Sequence, residues 1–332
     1  MYMAFFKRFG ASAALFLLLS AGLCALFPAL QCDATAPERI VIDYTGQSTG
    51  RSDAGEVNET EVLIEDVSTG ESFSMPLEEY LVGVVAGEMP ASFHEEARRA
   101  QAVAARSYAR YTLQYTPKKH TSGAPLCTDP GCCKAYLSRA DAEARYGAEQ
   151  AALMYQKASE AVSDTAGQIL TYQELPVCAV FHSASDGRTD SAENVWGNAV
   201  PYLISVSTPE LTEESSVSYT QTELLGLLRR GGYAPDENGA FDLTRSSTGR
   251  VGAVTLYGVT LSGTEARVLL RLRSSDFTLS VIGDTVTFVC AGYGHGVGMS
   301  QYGADALAQE GWDYRQILLH YYPGCVITDG DA

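Results

Sequence analysis

Positive charge is scarce in this chain. Its 332 residues hold 23 lysines and arginines against 40 aspartates and glutamates, a formal charge of −17. Nucleic acids and anionic lipid surfaces are bound through cationic faces, so neither is a general target of this protein. Charged residues are only 19% of the total while apolar ones reach 46%, which excludes a disordered chain and fits a globular one. No internal repeat is found.

Charge is missing altogether from residues 9–30, directly after Lys7 and Arg8. A helix of that length spans roughly 33 Å, enough to cross the hydrocarbon core of a bilayer. The basic pair before the run places the N-terminus in the cytoplasm. The sequence therefore predicts a cytoplasmic tail at 1–8, a single-pass membrane anchor at 9–30 and a flexible tether at 31–60. An extracytoplasmic domain follows over 61–326, then a short tail at 327–332. A cleaved signal peptide is the competing reading, but the run is long for one and no small-x-small cleavage site follows. Cys24 follows Leu23 and Cys32 follows Gln31, both too large for a lipidated cysteine.

Within the domain, the spacing of Leu77, Tyr80, Leu81 and Val84 predicts a helix over 76–85. Ser92 and Glu95 have capping-box spacing and predict a helix to about 113. Further helices are expected over 138–165, 222–230, 300–309 and 314–322. Strand-like runs occur at 168–172, 177–182, 253–259, 267–273, 278–282 and 285–290. This is an α+β pattern, with helices packed around a largely antiparallel sheet. The stretch 208–249 carries no readable motif and is taken as a variable insertion.

Glu88 is the only charge between Glu79 and His94, at a helix break with apolar residues before it. A carboxyl so placed suits a general acid, although capping a helix would equally explain it. In Phe181-His-Ser-Ala-Ser-Asp-Gly-Arg-Thr189, small polar residues follow a strand. Neighbours on a strand face opposite ways, so His182 does not activate Ser183, and ligand hydrogen bonding or a turn is the better reading. Five glycines punctuate Gly292-Tyr-Gly-His-Gly-Val-Gly-Met-Ser-Gln-Tyr-Gly303. A phosphate cradle is excluded because the Walker lysine is missing. Close backbone approach, to another element or to a ligand, remains.

His120, Cys127, Cys132 and Cys133 supply four nitrogen and sulfur groups within 14 residues. Their spacing is compatible with a tetrahedral, structural zinc site. A Cys127–Cys133 disulfide is the alternative, permitted outside the cytoplasm. The pairing of Cys32, Cys178, Cys290 and Cys325 is left open by spacing alone.

Three blocks taken together resemble the stage II sporulation protein D family and its SpoIID/LytB-type domain. They are Glu79-Tyr-Leu-Val-Gly-Val-Val-Ala-Gly-Glu-Met-Pro90 running into Ala100-Gln-Ala-Val-Ala-Ala-Arg106; the 181–189 block with Val195-Trp-Gly and Pro201-Tyr-Leu; and Gly294-His-Gly-Val-Gly-Met-Ser-Gln-Tyr-Gly-Ala304. The resemblance implies a peptidoglycan lytic transglycosylase acting on glycan strands stripped of stem peptides. Such an enzyme cuts the β-1,4 bond after N-acetylmuramic acid and leaves a 1,6-anhydro end. It implies Glu88 as acid and base, and Arg106, His182, Ser183, Ser185, Arg188, His295, Ser300, Gln301 and Tyr302 as the lining of the glycan cleft. It further implies a cell-wall amidase and a polytopic membrane protein as partners, in septal wall remodelling and engulfment during sporulation. The chain departs from the family at Asp186, where a small residue is usual, and at Cys132, where histidine is expected. A non-catalytic glycan-binding activator of an amidase is the competing class. A zinc hydrolase is weaker, because the candidate ligands leave no open position and have no companion base.

Overall fold

A computed structural model describes residues 61–115 and 120–329. The expected tail, anchor and tether at 1–60 lie outside these residues. Among the described residues, no helix is long and apolar enough to cross a membrane. The described chain is α+β, with several small sheets and three apolar clusters, two of them large.

The first core begins with a hairpin, β1 (Glu61–Asp66) and β2 (Glu71–Pro76), to which β3 (Leu126–Cys127) adds in parallel beside β1. Helix α1 (Leu77–Glu88) starts from Pro76 as its N-cap and runs three residues past its expected end at 85. Gly87 does not stop it. A Cβ there would sit 3.2 Å from the Ala135 carbonyl oxygen and from the Leu137 nitrogen, so the glycine lets the 135–137 segment press against the helix. Met89 then turns extended and returns its N–H to Val85.

Helix α2 (Glu95–Tyr115) runs through the centre of this core. The Ser92–Glu95 capping box does not form. Instead the His94 ring nitrogen Nδ1 accepts from the Glu96 N–H at 3.2 Å, and the His94 N–H donates to Asp305 at 2.6 Å. Ala97, Ala100 and Ala104 are fully buried and let neighbouring helices approach closely.

The single helix expected over 138–165 is two, α3 (Arg139–Tyr146) and α4 (Ala148–Asp164), split at Gly147 with φ of +82°. Strand β4 (Gln168–Tyr172) pairs with β5 (Leu175–Pro176) through a tight turn and with the C-terminal β14 (Val326–Asp329). The expected second strand over 177–182 is mostly irregular. Only β6 (Phe181–His182) is paired, in parallel with β13 (Met299–Ser300). This pairing joins two of the sequence blocks across more than a hundred residues. Short helix α5 (Ala192–Trp196) follows β6.

The second core is built from β7 (Ser215–Thr220), α6 (Gln221–Arg230), β8 (Asp242–Arg245), β9 (Val251–Leu256), β10 (Val259–Ser262), α7 (Gly263–Leu269), β11 (Phe277–Ile282) and β12 (Thr285–Cys290). Two antiparallel sheets, ordered β10-β9-β8 and β11-β12-β7, enclose Leu224, Leu256, Phe277 and Phe288. Full burial of each such side chain contributes about 1.5–3 kcal/mol. Most of the motif-less stretch 208–249 is thus the front half of a folded module. The strand expected over 267–273 is not one: Ser262 and Glu265 form a capping box, and the chain turns helical as α7 instead. Helix α6 is capped by Thr220 rather than Thr222. At the C-terminus, α8 (Gln301–Gln309) starts from Ser300 and α9 (Tyr314–Tyr321) from Asp313, close to expectation.

Candidate active site

Glu88 closes α1 half-buried, and both of its carboxylate oxygens are held. Oε1 accepts from the Ala135 N–H at 3.0 Å, and Oε2 accepts from the Gln301 side-chain amide at 3.0 Å. The same Gln301 amide lies 3.4 Å from Oε1 of Gln101, a fully buried residue of α2. Glu88 therefore stands where α1, α2 and the start of α8 meet, with its orientation set by a backbone donor and a carboxamide pair.

The glycine-rich block packs edge-on against the block after β6. Ala184 and Tyr293 exchange backbone hydrogen bonds, and the Asp190 N–H donates to the Gly296 carbonyl. Gly292, Gly294, Gly296 and Gly298 all have positive φ, which explains their recurrence. His295 is carried on this loop. Its Nδ1 accepts from the Val297 N–H at 3.1 Å, so Nε2 bears the proton and donates to the Phe181 carbonyl at 3.0 Å. Burial, helped by nearby His182, Lys134 and Arg267, holds His295 well below the ordinary histidine range. It is a neutral ring, half-buried and 5.4 Å from the ring of Trp196. Tyr302 packs edge-on against Phe93 at 4.9 Å. Such rings suit sugar faces.

His182 is buried, and burial with the charge of Arg250 depresses it to about 3. Its Nδ1–H donates to the Val297 carbonyl, so Nε2 accepts from the Ser185 hydroxyl at 2.7 Å. This looks like a nucleophile pair, but Ser185 is completely buried and its oxygen also accepts from Arg250 at 3.0 Å. The pair is a brace with no room for a substrate atom. The Ser185 N–H donates to Glu210 at 2.8 Å, and Glu210 also accepts from the hydroxyls of Ser300 and Thr208. Burial raises Glu210 while these donors oppose the rise.

Of the residues that the resemblance assigns to a cleft, the structure brings most into one region but not to one surface. Glu88, Ser183, His295 and Tyr302 reach it at least partly open. Gln301 touches Glu88 while nearly buried. His182, Ser185 and Ser300 are buried behind it with their polar atoms engaged, and present none of them to solvent. Arg188 is exposed and reaches Ser205 at 3.2 Å. Arg106 is elsewhere. It is 1% exposed, forks onto Glu78 at 2.6 and 2.7 Å, and donates to the carbonyls of Val162 and Gln168. Glu78 opens the helix that Glu88 closes, about 15 Å away at 1.5 Å per residue. The helix register thus puts Arg106 at the opposite end from the candidate acid. Asp186 accepts from the Thr212 N–H at 2.9 Å.

Sequence reasoning missed Gln101, Glu210, Arg250 and the Ala135 N–H. Gln101 had a signal, as a lone amide on an alanine face. Glu210 and Arg250 had none, since both fall at the edges of the second module.

The ligand atoms of His120, Cys127, Cys132 and Cys133 all lie within 4.8 Å of one another, with Cys133 Sγ 3.6 Å from His120 Nε2. Sulfur ligands about 2.3 Å from a tetrahedral ion would sit at similar separations. No disulfide joins any of the six cysteines among the described residues, so the Cys127–Cys133 disulfide is not formed. Hydrogen bonds from Cys132 and Cys133, then burial, push the Cys127 thiol far up. Four nitrogen and sulfur donors at these separations match the ligand type and spacing of a tetrahedral zinc site. The donor set fits zinc.

A family model described as stage II sporulation protein matches residues 66–172. Stage II sporulation protein D of Bacillus subtilis (strain 168) is 37% identical over 267 residues, covering 78% of this chain and 76% of that protein. The protein of the same name from Bacillus amyloliquefaciens is 36% identical over 264 residues, again 78% and 76%. A protein named amidase enhancer, from Bacillus subtilis (strain 168), is 27% identical over 305 residues, covering 75% of this chain and 40% of that protein.

Proposed function

The chain belongs to the stage II sporulation protein D family, and on that premise we propose that it is a lytic transglycosylase of peptidoglycan with Glu88 as its acid and base. The observation that carries this reading is the two-point hold on a half-buried Glu88 carboxylate. A proton on Glu88 passes to the oxygen that links muramic acid C1 to the next sugar, and the C1–O bond breaks. The substrate's own N-acetyl oxygen stabilises the cationic C1. The C6 hydroxyl then attacks C1, and Glu88 takes its proton back. The products are a 1,6-anhydro end and a free 4-hydroxyl, without water. A second carboxylate is not needed, unlike the usual two-carboxylate scheme. Glu210 fits this route, because hydroxyls of Ser300 and Thr208 and the Ser185 N–H occupy it.

His120, Cys127, Cys132 and Cys133 would hold a structural zinc ion. When bound, it would cross-link the loop that ends two residues before Ala135, the backbone donor to Glu88. The membrane anchor at 9–30, the extracytoplasmic placement, and partnership with an amidase and a membrane scaffold during sporulation belong to the same proposal. The amidase enhancer among the relatives keeps a second reading open, a glycan-binding activator that does not cut.

The test is cleavage of peptide-free glycan strands by the purified protein beside Glu88→Gln, with products read by mass spectrometry. Anhydro ends from the parent and none from the variant are expected. Reducing ends would point to a hydrolase. Equal glycan binding without cleavage in either protein would favour the activator.

A further inference from the structure

The reaction above leaves one buried carboxylate without a task. Glu210 is 9% exposed and lies ahead of the second module, outside the three sequence blocks. A carboxylate taken out of water is costly unless its oxygens are hydrogen-bonded. The partners of Glu210 come from three places. Oε1 accepts from the Ser185 N–H at 2.8 Å and from the Ser300 hydroxyl, and Oε2 accepts from the Thr208 hydroxyl. Thr208 also shares a hydrogen bond of 2.7 Å with the Tyr321 hydroxyl on α9.

Ser300 is the partner that leads to Glu88. It caps α8, and its Oγ accepts from the Gly303 N–H at 3.2 Å. A serine hydroxyl turns freely about its own bond until its proton has an acceptor. Glu210 takes that proton and leaves a lone pair of Oγ facing the Gly303 N–H. The next residue, Gln301, opens α8, and its side-chain amide donates to Oε2 of Glu88 at 3.0 Å. Glu210 and Glu88 are thus joined by one hydroxyl, the first turn of a helix and one amide.

Gly303 shows how tightly this turn sits on the carboxylate. It is helical, so its backbone would accept a side chain. A Cβ there would run into the hydroxyls of Thr208 and Tyr321 and come within 2.5 Å of Oε2 of Glu210. The glycine that nearly closes the third block is therefore explained by the space around Glu210 rather than by conformation. Backbone pairing of Ser300 with His182, and the bond from the Tyr302 N–H to the Ser183 carbonyl, anchor the same junction, and Glu210 adds the hold on its cap. Both hydroxyls and the N–H donate to Glu210, so a neutral amide oxygen in its place could still receive Ser185 and Ser300.

We propose that Glu210 is a positioning residue for the reaction at Glu88: by fixing the Ser300 cap it sets the start of α8, and with it the reach of the Gln301 amide to the Glu88 carboxylate. This rests on the glycan-cleaving reading above and adds to it a residue that touches neither sugar nor Glu88. Misplacing a general acid by a fraction of an ångström weakens the transition state more than the bound ground state, so the effect falls on kcat rather than KM.

The test is a mutant cycle in the full chain, read as anhydro-end formation from peptide-free strands at a temperature where thermal unfolding shows each variant folded. Glu210→Ala should lower kcat about tenfold with KM within about twofold, and Glu210→Gln should recover most of the rate. Glu210→Ala combined with Gln301→Leu should be no slower than Gln301→Leu alone, because both act through one contact. If Glu210→Ala does not fold, Ser300→Ala breaks the same bond from the other side and takes its place in the cycle. A parental kcat, multiplying effects in the double variant, or a folded Glu210→Gln as slow as Glu210→Ala each overturns the inference. If the parent cuts no strand, the proposed reaction falls and a second readout decides on Glu210. The side-chain amide of Gln301 is followed by NMR in chain labelled with 15N-glutamine and assigned by its loss in Gln301→Leu. A resonance that moves in Glu210→Ala and returns in Glu210→Gln keeps the link to Glu88; one that does not move removes it.

Discussion

Arg106 separates the two ways of reading this chain. The sequence resemblance puts it on the glycan; the structure puts it in the foundation of the fold. Consider Arg106→Met, which keeps length and removes the guanidinium. Its partner Glu78 has 45% of its side chain exposed, so it rehydrates at little cost once released. The carbonyls of Val162 and Gln168, which accept at 3.2 and 3.1 Å, lose a charged donor inside the protein. Each lost partner costs about 1–3 kcal/mol, and losing one half of a largely buried ionic network costs about 3–5 kcal/mol in all. In a unit of this size that corresponds to a fall in Tm of roughly 10 °C. Arg106→Lys keeps the charge but not the fork, and should lose roughly half as much. The assay is thermal unfolding, followed by glycan binding and cleavage well below the lowered Tm. Affinity and rate per folded molecule should match the parent. A parental Tm with glycan affinity lost would refute the argument and return Arg106 to the cleft.

Other expectations follow from the same contacts. Gln301→Leu removes one of the two donors on Glu88 and should lower kcat about 10- to 100-fold with KM little changed, read as anhydro-end formation. His182 is depressed in the folded state relative to an unfolded value near 6.5. Its contribution to stability is therefore complete above about pH 6.5 and is lost as pH falls toward 3, at up to about 1.4 kcal/mol per pH unit. Glu210, raised in the folded state, slopes the other way, so the clean measurement is the difference in Tm between parent and His182→Gln across pH 4 to 7. That difference should narrow on acidification, and parallel curves would contradict it. Chelation of zinc, or Cys127→Ser, should lower Tm and release about one metal ion per chain, measured by elemental analysis. A chain that holds no metal and unfolds identically with and without chelator would remove zinc from the account.

Local chemistry settled a good deal of this protein. The apolar spacing of Leu77, Tyr80, Leu81 and Val84, and the caps Ser300 and Asp313, are short-range facts, and the helices they announce are present. Four metal-type ligands within one short loop needed no long-range fold to be recognised, and they do converge. Glu88 is likewise marked by local sequence, as a single carboxyl among apolar residues.

Tertiary contacts decided the rest. Gly87 is a helix stop on local grounds, yet the 135–137 segment needs the space its missing Cβ leaves, and the helix runs on to bring Glu88 to the Ala135 N–H. Residues 177–182 alternate like a hairpin strand, but His182 pairs with Ser300, a partner that no local periodicity can name. Burial turns Ser185 and His182 from an apparent nucleophile pair into a brace, and helix register carries Arg106 away from Glu88 to Glu78. Glu210 and Arg250 were invisible because a lone acid and a lone arginine at a module edge look like ordinary surface. Sequence specifies which side chains are available and which helices start where. Which of them meet, and which are left open to a ligand, depends on close packing between segments far apart in the chain.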